Sequence, residues 1–168
     1  MKTQQKGFTL IELIIVIVVL GILAVTAAPQ FLNFSGDARK ATVEGMQGAV
    51  KAAADIVYGK SLIAGVEKNA TAEVDGIDVE YGYPAAVPAA DGILKALKID
   101  STEWSSVVAA AGWTGVGSTD VTAGDVLIFP ADRPTAASGA TDGECYVTYT
   151  KAADAVTPAV IGLVTSGC

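Results

Sequence analysis

The chain opens with two helical patterns of different character. Residues 8–28 are almost entirely apolar, and Glu12 carries their single charge. A run of about 20 apolar residues can cross a bilayer as one helix. Residues 31–58 alternate polar and apolar positions every three or four residues, the period of an amphipathic helix. The pattern therefore predicts one helix over 8–58, roughly 75 Å long at 1.5 Å per residue, which ends at Gly59.

The amphipathic part has an apolar face that needs a partner. Its members are Val43, Met46, Val50, Ala53 and Val57. Three later runs, 126–129, 145–150 and 160–164, are rich in β-branched and aromatic residues and are separated by turn-forming residues. We expect them to form an antiparallel sheet that covers this face, which gives an α+β fold with a head over 59–168.

The part of the head over 59–125 is a connector with weaker signals. Residues 73–81 alternate around Asp75-Gly76, which indicates a hairpin, and 91–97 and 101–111 are predicted as short helices. The acidic hairpin residues are interpreted as a solvated strand face, because the spacing of a calcium loop is missing. Trp104, Trp113 and Tyr149 are expected in the core rather than at an adhesive surface.

Composition narrows the classes of function. The 11 basic and 18 acidic residues give a net charge of −7, and an acidic surface disfavours nucleic-acid binding. Histidine is absent, which removes the usual general base and the commonest transition-metal ligand. No phosphate-binding loop, paired-carboxylate signature or metal-ligand cluster stands out. The sequence therefore predicts neither an enzyme nor a cofactor or metal site.

The first 35 residues resemble those of type IV pilins. A short basic leader, Gly7, Phe8, Glu12 and a long aliphatic run occur in the order of the class III signal of that family. The resemblance implies that prepilin peptidase cleaves between Gly7 and Phe8, removes residues 1–7 and methylates the amine of Phe8. The remaining layout looks most like pilins of the mannose-sensitive haemagglutinin type.

The same resemblance implies roles for three residues inside the helix. Glu12 would pair with the Phe8 amine of a neighbouring subunit, because an unpaired carboxylate in lipid costs on the order of 3 kcal/mol. The alternative is a side chain that reaches the membrane interface. Gly21 and Pro29 would let the helix kink or melt during assembly, since proline removes a backbone hydrogen bond.

Cys145 and Cys168 are the only cysteines. In an exported domain such an isolated pair predicts a disulfide that fastens the carboxyl end. The final section of the head, 126–168, would then contain the antiparallel sheet and the loop that this disulfide bounds. Two free thiols in a reducing compartment are the alternative. In pilins the segment enclosed by the disulfide is exposed and divergent.

The resemblance implies a structural subunit of a type IV pilus. Such a subunit resides in the inner membrane before assembly. The pilus assembly machinery then incorporates it, through its helix, into an extracellular filament for surface or host-cell adhesion. A pseudopilin of a type II secretion system and a membrane-anchored binding protein that never polymerises are the two rival functions. An ordinary secretory signal fits less well, because the apolar run is too long and contains Glu12. The sequence does not indicate an adhesive ligand.

Overall fold

The structure is a computed structural model that describes residues 7–87, 91–109, 121–132 and 144–168, except for the side chains of 28–33. The chain divides into two compact units, Met1–Ala38 and Arg39–Cys168. One helix, α1, covers Leu10–Ala64 and contributes to both units. Each unit is described by itself.

The first unit consists of the apolar part of α1. Leu10–Ala27 is long and apolar enough to cross a membrane, and none of its residues is buried. Leucine, isoleucine and valine side chains surround the helix on every side. A helix that is apolar all round needs lipid or protein around it.

The helix runs beyond its predicted end in the second unit. The sequence predicted a stop at Gly59, whereas α1 continues to Ala64 and ends at Gly65, which has φ +70°. The buried Ser61 explains the extension, because its hydroxyl donates to the carbonyl oxygens of Val57 and, across the fold, of Gly82 at 2.9 Å. A glycine at either position could end the helix, and this tertiary contact selects the second one.

A small three-stranded antiparallel sheet follows α1. It contains β1 (Ala72–Val74), β2 (Ile77–Glu80) and β3 (Tyr83–Pro84). Asp75 and Gly76 both have positive φ at the turn between β1 and β2, as a two-residue type I′ hairpin requires. The predicted hairpin is confirmed.

The connector contains one of its two predicted helices. The short helix α2 covers Ile93–Leu97, but residues predicted as a second helix over 101–111 include the strand β4 (Trp104–Val108). All five residues of β4 pair with the following strand. That non-local pairing overrides the local helical signal, which is a weak constraint on its own.

The large sheet is an antiparallel meander in the order β4-β5-β6-β7. Its other strands are β5 (Val126–Pro130), β6 (Tyr146–Thr150) and β7 (Val160–Val164), close to the three predicted runs. One sheet face packs on the apolar face of α1 and forms the core. The members of this core include Val43, Met46, Val50, Ala54, Val126, Ile128, Val147 and Tyr149. The predicted α+β architecture is confirmed.

Two of the three aromatic residues chosen from the sequence can be placed. Tyr149 is fully buried, and its hydroxyl donates to the carbonyl oxygen of Pro84 at 2.6 Å. Trp104 is partly buried and packs against the core. Trp113 lies outside the described residues. Tyr149 and Trp104 therefore have core positions, as expected.

Candidate functional site

The amino-terminal end of α1 carries the residues with predicted processing and assembly roles. Gly7 and Phe8 precede the helix, and the Phe8 side chain is 91% exposed. No described heavy atom outside its chain neighbours lies within 4 Å of a Cβ placed on Gly7. The bond between Gly7 and Phe8 is therefore open to solvent in this structure.

Glu12 takes part in a capping box with Thr9. The backbone N–H and the hydroxyl of Thr9 both donate to Oε2 of Glu12 at 2.8 Å. In return, the N–H of Glu12 donates to the Thr9 hydroxyl at 3.3 Å. The carboxylate thus satisfies donors at the start of the helix, where every α-helix leaves N–H groups unpaired.

The second oxygen of this carboxylate is available. Oε1 of Glu12 accepts no hydrogen bond from a described group, whereas Oε2 accepts two. A carboxylate can accept several hydrogen bonds at once. Glu12 can therefore keep its contact with Thr9 and still receive a charged amine.

Thr9 is the functional residue that the sequence reasoning missed. The signal was present as Thr9-Leu10-Ile11-Glu12, the spacing of a capping box before an apolar run. Further along the span, the hydroxyl of Thr26 donates to the carbonyl oxygen of Leu23 at 3.0 Å. Both threonines therefore satisfy their hydroxyl groups inside the helix, as a lipid environment requires.

Gly21 and Pro29 both lie within α1. No described heavy atom outside the chain neighbours and the helix's own backbone lies within 4 Å of a Cβ placed on Gly21. The side chain of Pro29 lies outside the described residues. Their role in kinking or melting the helix stays a prediction.

Cys145 and Cys168 form a disulfide at the other end of the chain. Their Cα atoms are 4.8 Å apart, and Cys145 is fully buried in the core. Two further contacts hold the same pair of segments together: Gly167 N–H donates to the carbonyl oxygen of Glu144 at 2.8 Å, and the Ser166 hydroxyl donates to the Glu144 carboxylate. Residues 166–168 are therefore fixed beside the start of β6.

The described residues contain no convergent metal site. No three His, Cys, Asp or Glu side chains among them are close enough to hold an ion. Two of the acidic side chains of the hairpin instead contact lysines, with Lys60 bound to Asp75 and Lys151 to Glu80 at 2.6 Å. These contacts are surface ion pairs of modest energy.

An exposed apolar helix of membrane-spanning length that leads into a helix-on-sheet head is typical of the class of membrane-anchored proteins. Comparisons with known proteins agree with this class. The family model described as the prokaryotic N-terminal methylation motif matches residues 2–28. The type IV major fimbrial protein FimA of Dichelobacter nodosus is 31% identical over 117 residues, which cover 67% of this chain and 75% of FimA.

Two shorter matches are to another pilus component and to a secretion-system protein. The type IV narrow pilus major component PilA5 of Thermus thermophilus is 50% identical over 50 residues, or 30% of this chain and 43% of PilA5. The type II secretion system core protein G of Pseudomonas aeruginosa is 42% identical over 55 residues, or 33% of this chain and 39% of that protein. No solved structure matches the chain. On the extent of the FimA match, the chain belongs to the type IV pilin family.

Proposed function

We propose that this chain is a structural subunit of a type IV pilus. Before assembly, the apolar part of α1 anchors it in the inner membrane, and afterwards the same part packs with its copies in an extracellular filament that attaches to surfaces or host cells. The observation that carries the proposal is the 18-residue apolar span with no buried residue. Such a surface is stable only when lipid or other protein covers it.

Processing creates the charge that assembly uses. Prepilin peptidase cleaves between Gly7 and Phe8, and the new amine of Phe8 is methylated and keeps a positive charge. This amine pairs with the carboxylate of Glu12 in a neighbouring subunit, where the vacant Oε1 receives it. An ion pair lowers the free energy of both charges in an apolar filament core, since either one alone would be costly there.

The flexible region of the subunit lies between Gly21 and Pro29. Proline has no N–H, so the turn of α1 before Pro29 lacks one backbone hydrogen bond. Glycine reduces helix stability by about 0.5–1 kcal/mol relative to alanine. Local melting between these two residues would let the apolar helices fit against one another in the filament.

The first test is the intact mass of the protein in filaments sheared from producing cells. We expect a species that begins at methylated Phe8 and is two hydrogen masses lighter for the disulfide between Cys145 and Cys168. This result would establish processing, export and polymerisation together. Protein that stays in the membrane and never reaches the sheared fraction would contradict the proposal.

The match to the core protein G of a secretion system supports a second candidate function. As a pseudopilin, the chain would form a short fibre in the periplasm. The same fractionation separates the two functions, because a pseudopilin would be cleaved and methylated but would be missing from sheared surface filaments. The longer match to FimA favours the pilus subunit.

A further inference from the structure

A groove of about 570 Å³ lies along α1 in the second unit. One wall is α1 itself, and the others are the β1–β2 hairpin and α2. Its lining includes Ala49, Ala52, Ile56, Lys60, Ile77, Lys95 and Lys98. Ile56 on the α1 wall of the groove is 61% exposed, although it is a large apolar residue. The groove therefore has an apolar floor that the subunit itself does not fill.

The charged residues that line the groove are three lysines and one carboxylate, that of Asp75. Without the leader, nine basic side chains remain in the chain, and Lys60, Lys95 and Lys98 line this one groove. Lys60 contacts Asp75, and Lys95 lies 3.6 Å from Asp91. Lys98 forms no ion pair with a carboxylate in the described part of the chain. An occupant with an apolar tip and a negative charge would fit these properties.

The turn between β6 and β7 has a complementary surface. The side chain of Val156 is 91% exposed at its tip. Oδ1 of Asp154 accepts the N–H groups of Val156 at 2.8 Å and Thr157 at 2.7 Å, and Ala152 anchors the turn in the interior. These hydrogen bonds also hold the pKa of Asp154 below its usual range. The turn thus presents an apolar tip beside a negative charge in a fixed conformation, which limits the entropy lost on binding.

The turn and the groove are two separate surfaces of the head. Ala159 at the end of the turn and Val160 at the start of β7 line a second groove together with Gln47, Gly48 and Lys51 of α1. Successive residues of an α-helix are rotated by about 100°. Positions 47, 48 and 51 and the groove positions 49, 52 and 56 are therefore neighbouring parts of the exposed surface of α1. Val156 is 91% exposed, so it does not fill the groove of its own chain. A contact between turn and groove on two copies would be head-to-tail.

We propose that the 151–159 turn of one pilin inserts Val156 into the lysine-rimmed groove of the next copy, with Asp154 facing Lys98. This inference rests on the proposed pilus function and adds a contact between heads to the packing of the helices. The two patches are different surfaces of the same chain, so their contact is heterologous. A heterologous contact that does not close into a ring propagates as a helical filament.

Crosslinking of the two surfaces in filaments tests the contact. Ile56→Cys and Val156→Cys are introduced into the same chain, and sheared filaments are treated with a short bismaleimide. We expect a ladder of dimers, trimers and longer products on a denaturing gel, because every copy offers both a turn and a groove. The matched control combines Val156→Cys with Ile63→Cys, since Ile63 is a 90% exposed apolar residue of α1 outside the groove.

Charge reversal provides a second measurement that needs no cysteine. Lys98→Glu places a like charge opposite Asp154, and we expect the yield of sheared filaments to fall at least ~5-fold, as a loss of ~1 kcal/mol would cause. Lys68→Glu is the control, because this exposed lysine lies outside the groove. Equal filament yields from the two variants would overturn the inference.

The outcomes separate the inference from the function on which it rests. Filaments without a ladder, or with equal ladders in both cysteine pairs, would overturn the turn-to-groove contact and leave the pilus function standing. If the unaltered chain formed no filaments, both proposals would be wrong. If only the cysteine variant failed to assemble, the comparison of Lys98→Glu with Lys68→Glu would decide the inference.

Discussion

At the scale of single residues, Glu12 combines a local role with the proposed assembly role. Its Oε2 caps the start of α1 through Thr9, and Oε1 remains available for the amine that the proposed cleavage before Phe8 would create. The capping interaction alone contributes about 1 kcal/mol in typical helices. Pairing with the amine would contribute more free energy than the cap, since it neutralises a charge in an apolar environment.

The substitution Glu12→Gln separates these two roles. Glutamine retains an oxygen that can accept from Thr9, but it has no charge to pair with the Phe8 amine. We expect the variant to be processed and inserted in the membrane yet to yield few or no sheared filaments. Glu44→Gln on the exposed side of α1 is the control. Normal filament yield from Glu12→Gln would show that the cap suffices.

Gly92 is a residue where the fold leaves no room for a side chain. A Cβ placed there would lie 2.0 Å from the carbonyl oxygen of Ala85, a backbone atom that cannot easily move away. At Gly59 inside α1, by contrast, no described heavy atom outside the chain neighbours and the helix's own backbone would lie within 4 Å of the added carbon.

Alanine substitutions at these two glycines should therefore have opposite effects. We expect Gly92→Ala to destabilise the fold by about 1–3 kcal/mol through overpacking. Gly59→Ala should stabilise it by about 0.5–1 kcal/mol, because alanine favours the helix. Thermal unfolding of the mature protein in detergent measures both, and equal melting temperatures would contradict the packing argument.

At the scale of elements, two contacts fasten the small sheet to the large one. The hydroxyl of Tyr149 in β6 donates to the carbonyl oxygen of Pro84 in β3, and Lys151 pairs with Glu80 of β2 at 2.6 Å. The first contact is fully buried and the second is partly exposed. The tyrosine should therefore contribute more to stability than the ion pair.

The buried tyrosine also predicts how stability depends on pH. Burial raises the pKa of Tyr149 above its ordinary value, so the folded chain keeps this proton at a pH where the unfolded chain loses it. Its contribution is complete below about pH 10 and declines at higher pH. We expect Tyr149→Phe to melt at a lower temperature at neutral pH and to lose less stability between about pH 9.5 and 11. Tyr81→Phe is the control, and parallel pH curves for Tyr149→Phe and the parent would refute the assignment.

The disulfide ties the segment after β7 to the start of β6. It encloses a loop with a sequence separation of 23 residues, for which chain entropy predicts about 3 kcal/mol of stabilisation. Cys168→Ser should lower the melting temperature of the detergent-solubilised protein, and reductant should have no further effect on this variant. Unchanged melting would show that the contacts of Ser166 and Gly167 suffice without the bond.

At the scale of the whole molecule, the chain combines an apolar span with an acidic remainder. The net charge is −7, and removal of Lys2 and Lys6 with the leader would make it −9 before the new amine is counted. Copies that pack side by side in a filament bring these charges together. Like charges keep neighbouring filaments apart.

Acid should therefore cause filaments to associate with one another. The sequence pI is about 4.4, and loss of the leader lysines lowers it further. As the pH falls towards this value, the carboxylates become protonated and the repulsion between filaments weakens. We expect light scattering of purified filaments to rise steeply below about pH 5 and to reverse when neutral pH is restored. Constant scattering down to the pI would argue against charge as the cause of dispersion.

Much of this organisation followed from local pattern alone. The apolar run, the amphipathic face of α1, the hairpin at Asp75-Gly76 and the strands β5, β6 and β7 were all predicted. These signals are strong because each depends on a period of side chains or on a backbone conformation that few residues accept. The predicted cleavage site between Gly7 and Phe8 also rests on a local pattern, within the matched methylation motif over residues 2–28.

Features that depend on distant partners were decided by the tertiary structure. The end of α1 depends on the hydrogen bond from Ser61 to Gly82, and residues 104–108 became a strand because β5 pairs with them. The groove that we propose as a docking site likewise combines residues of α1, the β1–β2 hairpin and α2, which are distant in the sequence. Propensity acts within a few residues, whereas these choices depend on which segments meet in three dimensions.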